Sequence, residues 1–279
     1  RASHFTTKVD KVRTATSNAS PPVITMRQSA TLADLTPVSA DEAAKLIKSA
    51  PNTHCPLDPI PTWILKKSPE RFAPLFAALC NSTFSHGLPP SQKQALVSAR
   101  LKKPTMDPAD LNSYRPISNL SFTSKFVERS VATRFVKHCD QNQLFPVRQS
   151  AFRRLHSTET AVLIVHNDIV RAVDKGQLTA MMFLDLSSAF DTVDHAHMLS
   201  ILRRRFSVES PALDWFQSYL SNRTQTFTVG ESKSDPCLVY CSVPQGSVLG
   251  PVQFNAYTED VVELFDHNKV NHHLYADDQ

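Results

Sequence analysis

No apolar run in this sequence approaches the roughly 18–20 residues that a membrane-spanning helix needs, and no signal peptide is visible. Both absences predict a soluble chain, cytoplasmic or nuclear, with no membrane partner. A disulfide framework is missing too. The five cysteines (Cys55, Cys80, Cys139, Cys237, Cys241) are an odd set without framework spacing, so reduced thiols are expected. Nor is there a zinc motif. Cys237 and Cys241 with the later His272 and His273 have no zinc-site spacing, and Cys237, Val239 and Cys241 alternate as strand residues do. No internal repeat is evident. Excess charge is small, net +4 over 279 residues with a pI near 8.8, which permits nucleic-acid binding without arguing for it. What is present is 41% hydrophobic residues, enough for a sizeable core in one large domain or two small ones. The chain begins at Arg1 rather than Met and stops one residue after an Asp pair, which predicts a fragment of a longer polyprotein.

Residues 1–35 are rich in Ser, Thr and Ala, hold Pro21-Pro22 and lack sustained periodicity, the pattern of a disordered tail or linker. Order is expected from Pro37, with Ser39 capping a helix over 41–50 whose first turn is acidic. Prolines at 56, 59 and 61 make a stiff connector. Helices follow over Trp63–Lys67 and Arg71–Phe84, the second with Phe72, Leu75, Phe76 and Leu79 on one face. A strand over Gln94–Lys103 ends in two lysines, and a Pro- and Asp-rich turn leads into SYRPIS. Helices over Thr123–His138 and Thr158–Lys175 carry apolar stripes (Val127, Val131, Phe135; Val162, Val165, Ile169, Val173) that read as core. A helix over 196–206 ends in Arg203, Arg204 and Arg205, as suited to a solvated last turn as to phosphate contact. Ser210-Pro211 opens another helix. Thr224–Val229 and Cys237–Val243 form a hairpin, a helix covers Leu249–Leu264, and a strand covers His272–Tyr275. The class is α+β.

Two acidic stretches stand out. In MMFLDLSSAFD (181–191) the apolar run Met181–Leu184 fits a strand covered on both faces, ending in Asp185. Alone, that Asp is as well explained as the cap of a following helix. Far downstream, Tyr275-Ala276-Asp277-Asp278 puts two further carboxylates in a short turn, which alone reads as a solvent-exposed acidic loop. Together the three can hold two divalent ions about 3.5–4 Å apart, the arrangement that steadies both the attacking and the leaving oxygen of a phosphoryl transfer. Hard oxygen donors favour magnesium or manganese.

The order FLDLSSAFDTVDH (183–195), SVPQGSVLGP (242–251) and YADD (275–278) resembles the reverse transcriptase of non-LTR (LINE-type) retrotransposons. CPLDPIPTWILKK (55–67), SYRPISNL (113–120) and QSAFRRLHSTETA (149–161) resemble the same family, in family order over about residues 36–279. The resemblance implies a right-hand polymerase with N-terminal extension and fingers over 36–178. The palm, a sheet backed by helices, would run over 179–279, cut after the YADD turn and without a thumb.

It implies RNA-directed DNA synthesis from a DNA primer on an RNA template, with deoxynucleoside triphosphates and two magnesium (or manganese) ions. Asp185, Asp277 and Asp278 would be catalytic metal ligands, joined by the Leu186 carbonyl. Phe190 would lie under the sugar and exclude a 2′-hydroxyl. Gln245 and Gly246 would line the nucleotide pocket. Lys102, Lys103 and Arg115 would grip the triphosphate, as guanidinium and ammonium groups can, and Arg153 and Arg154 the template or primer backbone. Each has a plainer reading: Phe190 as core, Gln245-Gly246 as an ordinary loop, the lysines as solvated charge. Where the family most often has Gly this chain has Ser242, a side chain added near the pocket. Two rival functions stay open, a catalytically inactive nucleic-acid-binding remnant and an RNA-dependent RNA polymerase. Oligomeric state is not legible.

Overall fold

The computed structural model describes residues 2–18, 23–52, 55–186 and 188–276. In chain order its elements are α1 (Ala2–Thr16), α2 (Ala40–Ser49), α3 (Thr62–Lys67), α4 (Pro69–His86), β1 (Gln94–Leu101), β2 (Tyr114–Asn119), α5 (Phe122–Gln141), α6 (Thr158–Asp174), α7 (His195–Arg205), α8 (Ala212–Leu220), β3 (Arg223–Val229), β4 (Ser232–Lys233), β5 (Cys237–Val239), α9 (Leu249–Tyr257) and α10 (Val261–His267). Local signals start the helices. Ser39, Ser121 and Asp194 each accept a hydrogen bond from an amide in the first turn, of Glu42, Ser124 and His197. Ser157 and Thr160 form a reciprocal capping box on α6.

The strands form one sheet in the order β2-β1-β3-β4, with β5 on the same edge of β3 as β4 but farther along it. β1 runs antiparallel to β2 and parallel to β3. Beside the sheet, one buried cluster runs from Leu35 to Ala256, so the stretches expected as fingers and palm share a core. At its centre Phe135 meets Phe145 edge-on at 6.3 Å and lies 5.6 Å from both Phe206 and Phe216, contacts each worth about 0.5–1.5 kcal/mol beyond their area. This ties α5 to α7 and α8. The buried stripe of α5 (Val127, Val131, Phe135) is as its periodicity predicts.

Several expectations are corrected. Among the described residues the expected strand Met181–Leu184 pairs with no neighbour and is exposed, Met182 at 77% and Phe183 at 78%; only Asp185 at its end takes part in a single-residue bridge. Its apolar run encodes a demand for burial, but burial of a strand needs partners on both edges and layers on both faces, and none of the described residues supplies them. The α6 stripe is likewise not core: Val162 is 66% exposed and Val173 60%. On α4 the buried face is Ala73, Phe76, Ala77 and Cys80, while Leu75 faces solvent. The helix expected over Leu249–Leu264 breaks into α9 and α10. The expected last strand is reduced to single-residue bridges at Leu274, paired with Gln149, and Tyr275.

Within the stretch expected as a tail lies α1, whose Val9 and Val12 are half-buried and whose helix meets the turn Ala189–Thr192. Residues 27–33 are held by their backbone: Arg27 donates to the Arg204 carbonyl at 2.9 Å and Leu32 to that of Ser207 at 2.9 Å. Polar composition left no core pattern to detect there; main-chain bonds to the end of α7 order it instead. Arg205, in the cationic turn, is buried in ion pairs with Glu259 and Glu263, which removes it from phosphate contact. No helix among the described residues is long and apolar enough to cross a membrane.

Candidate active site

A cleft of about 580 Å3 opens where the β1–β2 end of the sheet meets the loop before α9. Lys102, Tyr114, Arg115 and Pro116 line it from the sheet, Asp185 and Leu186 from the exposed segment, and Phe190 and Asp191 from the turn that follows. Gln245, Gly246 and Ser247 line it from the loop, Phe152 from the connection before α6 and Val9 from α1. Seven of the site residues expected from sequence thus share one cavity: Lys102, Arg115, Asp185, Leu186, Phe190, Gln245 and Gly246. Lys103 is not in the lining. Arg153 spends its guanidinium on the Pro146 carbonyl at 2.6 Å and the Gln149 carbonyl at 3.2 Å, and Arg154 is exposed outside the cleft. Asp277 and Asp278 lie outside the described residues. Among the described residues no group of three or more acidic, His or Cys side chains is arranged to hold a metal.

The loop carrying Gln245 and Gly246 is fixed to β2. Ser118 N donates to the Gln245 carbonyl at 2.7 Å, and Gly246 has φ +109, with a Cβ there falling 2.8 Å from the Ser118 carbonyl oxygen. Only glycine combines that dihedral with that approach. The Gln245 amide donates to Asp191 Oδ1 at 3.0 Å, which orients it and leaves its oxygen available. Phe190 is held from two sides, stacked on Phe254 at 4.7 Å and edge-on to Phe152 at 6.5 Å. It is half-buried against the core and also lines the cleft, so the plain and the functional reading of this ring coexist.

Upstream of that loop, Ser242 N donates to the Val193 carbonyl at 2.8 Å and the His195 ring donates to the Ser242 carbonyl at 2.8 Å. Burial lowers the His195 pKa, with the Ser242 bond opposing. Asp194, raised by burial alone, is held below its ordinary value by the His197 amide and Arg13, whose guanidinium is 3.1 Å away. These bonds hold Ser242 at φ +99, a backbone that side chains disfavour. Ser242→Gly is therefore expected to stabilise the chain by about 1 kcal/mol, the relief of strain less the entropy cost of glycine. A urea midpoint that rises at unchanged slope is the expected reading, and a fall would contradict it.

Three residues in or beside the cleft were not singled out from sequence, and of them only Asp191 is in its lining. Asp191 stands in the same motif as Asp185, but nothing local marks it as the partner of Gln245. Arg100 is the cross-strand partner of Arg115; like charges directly opposite are unfavourable without a counter-charge, and only the register pairs them. Glu128 is the third, and its signal was present: it falls on the buried stripe of α5 between Val127 and Val131.

The chain belongs to the reverse transcriptase (RNA-dependent DNA polymerase) family, whose profile matches residues 101–279. More narrowly, its relatives put it with the reverse transcriptases of non-LTR retrotransposons. It is 32% identical to the probable RNA-directed DNA polymerase from transposon BS of Drosophila melanogaster, over 87% of this chain and 27% of that protein. The RNA-directed DNA polymerase from mobile element jockey of the same species is 29% identical over 88% of this chain and 27% of its own length. The probable RNA-directed DNA polymerase from transposon X-element is 30% identical over 81% and 25%. The chain thus spans about a quarter of the length of these curated relatives. A solved structure of apo telomerase from Candida Tropicalis, truncated from its C-terminal domain, aligns with 75% of this chain and 48% of its own at TM-score 0.44 and 8% identity, too slight a likeness to carry weight.

Proposed function

We propose that this chain carries the nucleotide-adding site of an RNA-directed DNA polymerase, extending a DNA primer on an RNA template with deoxynucleoside triphosphates. One observation supports this most. Lys102, Arg115, Asp185, Phe190 and Gln245-Gly246, distant along the sequence, line one cleft in a chain of the reverse transcriptase family. The reading assigns the N-terminal extension and fingers to residues 36–178 and the palm to 179–279.

The donors at the cleft fit the divalent ions that reverse transcriptases use: the Asp185 carboxylate and the Leu186 carbonyl are hard oxygens suited to magnesium or manganese. Asp277 and Asp278 would complete the set. When bound, the ions lower the pKa of the primer 3′-hydroxyl and neutralise the departing pyrophosphate. The rest falls to side chains. Lys102 and Arg115, with Lys103 as a further candidate, neutralise the triphosphate and orient its α-phosphate toward the primer. The Phe190 ring, braced by Phe254 and Phe152, closes the space a 2′-hydroxyl would need. Gln245, oriented by Asp191, offers its oxygen to the sugar or base. Arg153 and Arg154 are assigned to the nucleic-acid backbone.

Primer extension on an RNA template with magnesium tests the reading: extension with deoxynucleotides supports it, and preference for ribonucleotides favours an RNA-dependent RNA polymerase. The unpaired, exposed Met181–Leu184 favours a second reading, in which the isolated chain binds primer–template without extending it. Tight binding with no extension would support that alternative.

A further inference from the structure

Glu128 on α5 has no solvent exposure. Its Oε2 accepts hydrogen bonds from the amides of Val248 at 2.7 Å and Leu249 at 3.2 Å, and its Oε1 accepts one from the Ser124 hydroxyl at 3.3 Å. Those two amides open α9, where Val248 occupies the cap position and cannot cap with its side chain. A carboxylate 120 residues away in sequence therefore takes these two amides, while the Ser247 hydroxyl accepts the next one, from Gly250, at 2.8 Å; the helix dipole strengthens the carboxylate contact. The counter-charge is Arg223, 2% exposed, which donates to the Tyr219 carbonyl at 3.0 Å and lies over the Tyr219 ring at 4.8 Å.

A buried carboxylate is costly to keep. Burial raises the Glu128 pKa, against the opposing pull of Arg223 and the two amides. An apolar residue would fill that stripe position of α5 at no such cost, so what Glu128 supplies is its grip on the loop. That loop is short: Gln245 and Gly246 are three and two residues before Val248, and Ser118 fixes their other side.

We propose that Glu128 is a positioning residue for the nucleotide site, clamping Val248 and Leu249 so that the Gln245-Gly246 turn sits at a fixed height in the cleft. The inference rests on the reading of that cleft as the nucleotide site. Glu128 touches no substrate; it acts through the loop. Glu128→Gln keeps the side-chain shape but exchanges a charge-assisted pair of bonds for a weaker one.

Two measurements on the full chain test this, beside Val131→Ala, a core truncation on the same face of α5. Hydrogen exchange of the 244–250 peptide is expected to speed up about tenfold in Glu128→Gln and to stay near wild type in Val131→Ala, with the rest of α5 protected in the first variant. Equal exchange in Glu128→Gln and wild type overturns the proposal, whether or not the chain polymerises. In primer extension, Glu128→Gln is expected to raise KM for the deoxynucleotide about tenfold with kcat nearly unchanged. A loss confined to kcat, or matched by Val131→Ala, shows a merely structural role. A wild-type chain that extends no primer, with the exchange result as expected, counts against the nucleotide reading and leaves the clamp supported.

Discussion

Asp185→Asn is expected to reduce primer extension about a hundred- to ten-thousand-fold while leaving the fold intact. The two halves of that expectation have separate causes. Asp185 is exposed, and substitutions at exposed positions away from caps and buried networks usually change stability by no more than about 0.5 kcal/mol. Its carboxylate, by contrast, lines the cleft that holds Lys102 and Arg115. An ion held there contributes several kcal/mol to the transition state, and each 1.36 kcal/mol is about tenfold in rate. On the proposed assignment, asparagine keeps the shape and loses the charge that would retain the ion. Single-turnover extension with magnesium reads the rate and urea unfolding reads the fold. A variant that extends at the wild-type rate would remove Asp185 from the chemistry.

Gly246→Ala carries the second large effect, for a steric reason. The new Cβ would lie 2.8 Å from the Ser118 carbonyl, which is main chain within β2 and has no rotamer by which to retreat. The φ of +109 adds its own cost for any side chain. Together these destabilise the native loop by about 2–3 kcal/mol. The loop relieves the clash by leaving β2, breaking the bond from Ser118 to the Gln245 carbonyl and moving Gln245 away from Asp191. The expected result is a lower urea midpoint together with a KM for deoxynucleotide raised at least about tenfold. Unchanged KM with a lowered midpoint would separate the loop from nucleotide binding.

How much was legible depended on whether the signal was local. The cap Ser39 belongs to the chain's own next turn, and α5 is buried where its period places the stripe. The strands β1, β3 and β5 announced themselves by composition. Failures came where burial had to be supplied by something distant. Met181–Leu184 and the α6 stripe are apolar, yet an apolar pattern states only that cover is favourable, not that the described residues provide it. Arg205 failed in the opposite direction: a cation at a helix end suits solvent, and only the placement of α10 brings Glu263 and the preceding Glu259 to it. The cleft itself was legible through resemblance. Its internal wiring, Asp191 to Gln245 and Glu128 to Val248, was not, because a hydrogen bond across 54 or 120 residues leaves no periodic trace.

By itself the sequence determined where the helices α2 to α8 would lie and that the thiols carry no framework spacing, and through resemblance it pointed to the residues suited to polymerase chemistry. Those properties reside in neighbours along the chain and in the motifs FLDLSSAFD, PQGS and YADD. Tertiary structure alone decided that Lys102, Arg115, Asp185 and Gly246 share a cavity, that Ser242 sits in a glycine's backbone conformation, and that a buried glutamate caps a distant helix. Each depends on how close two remote stretches of backbone come. Packing sets that separation, and no local preference encodes it.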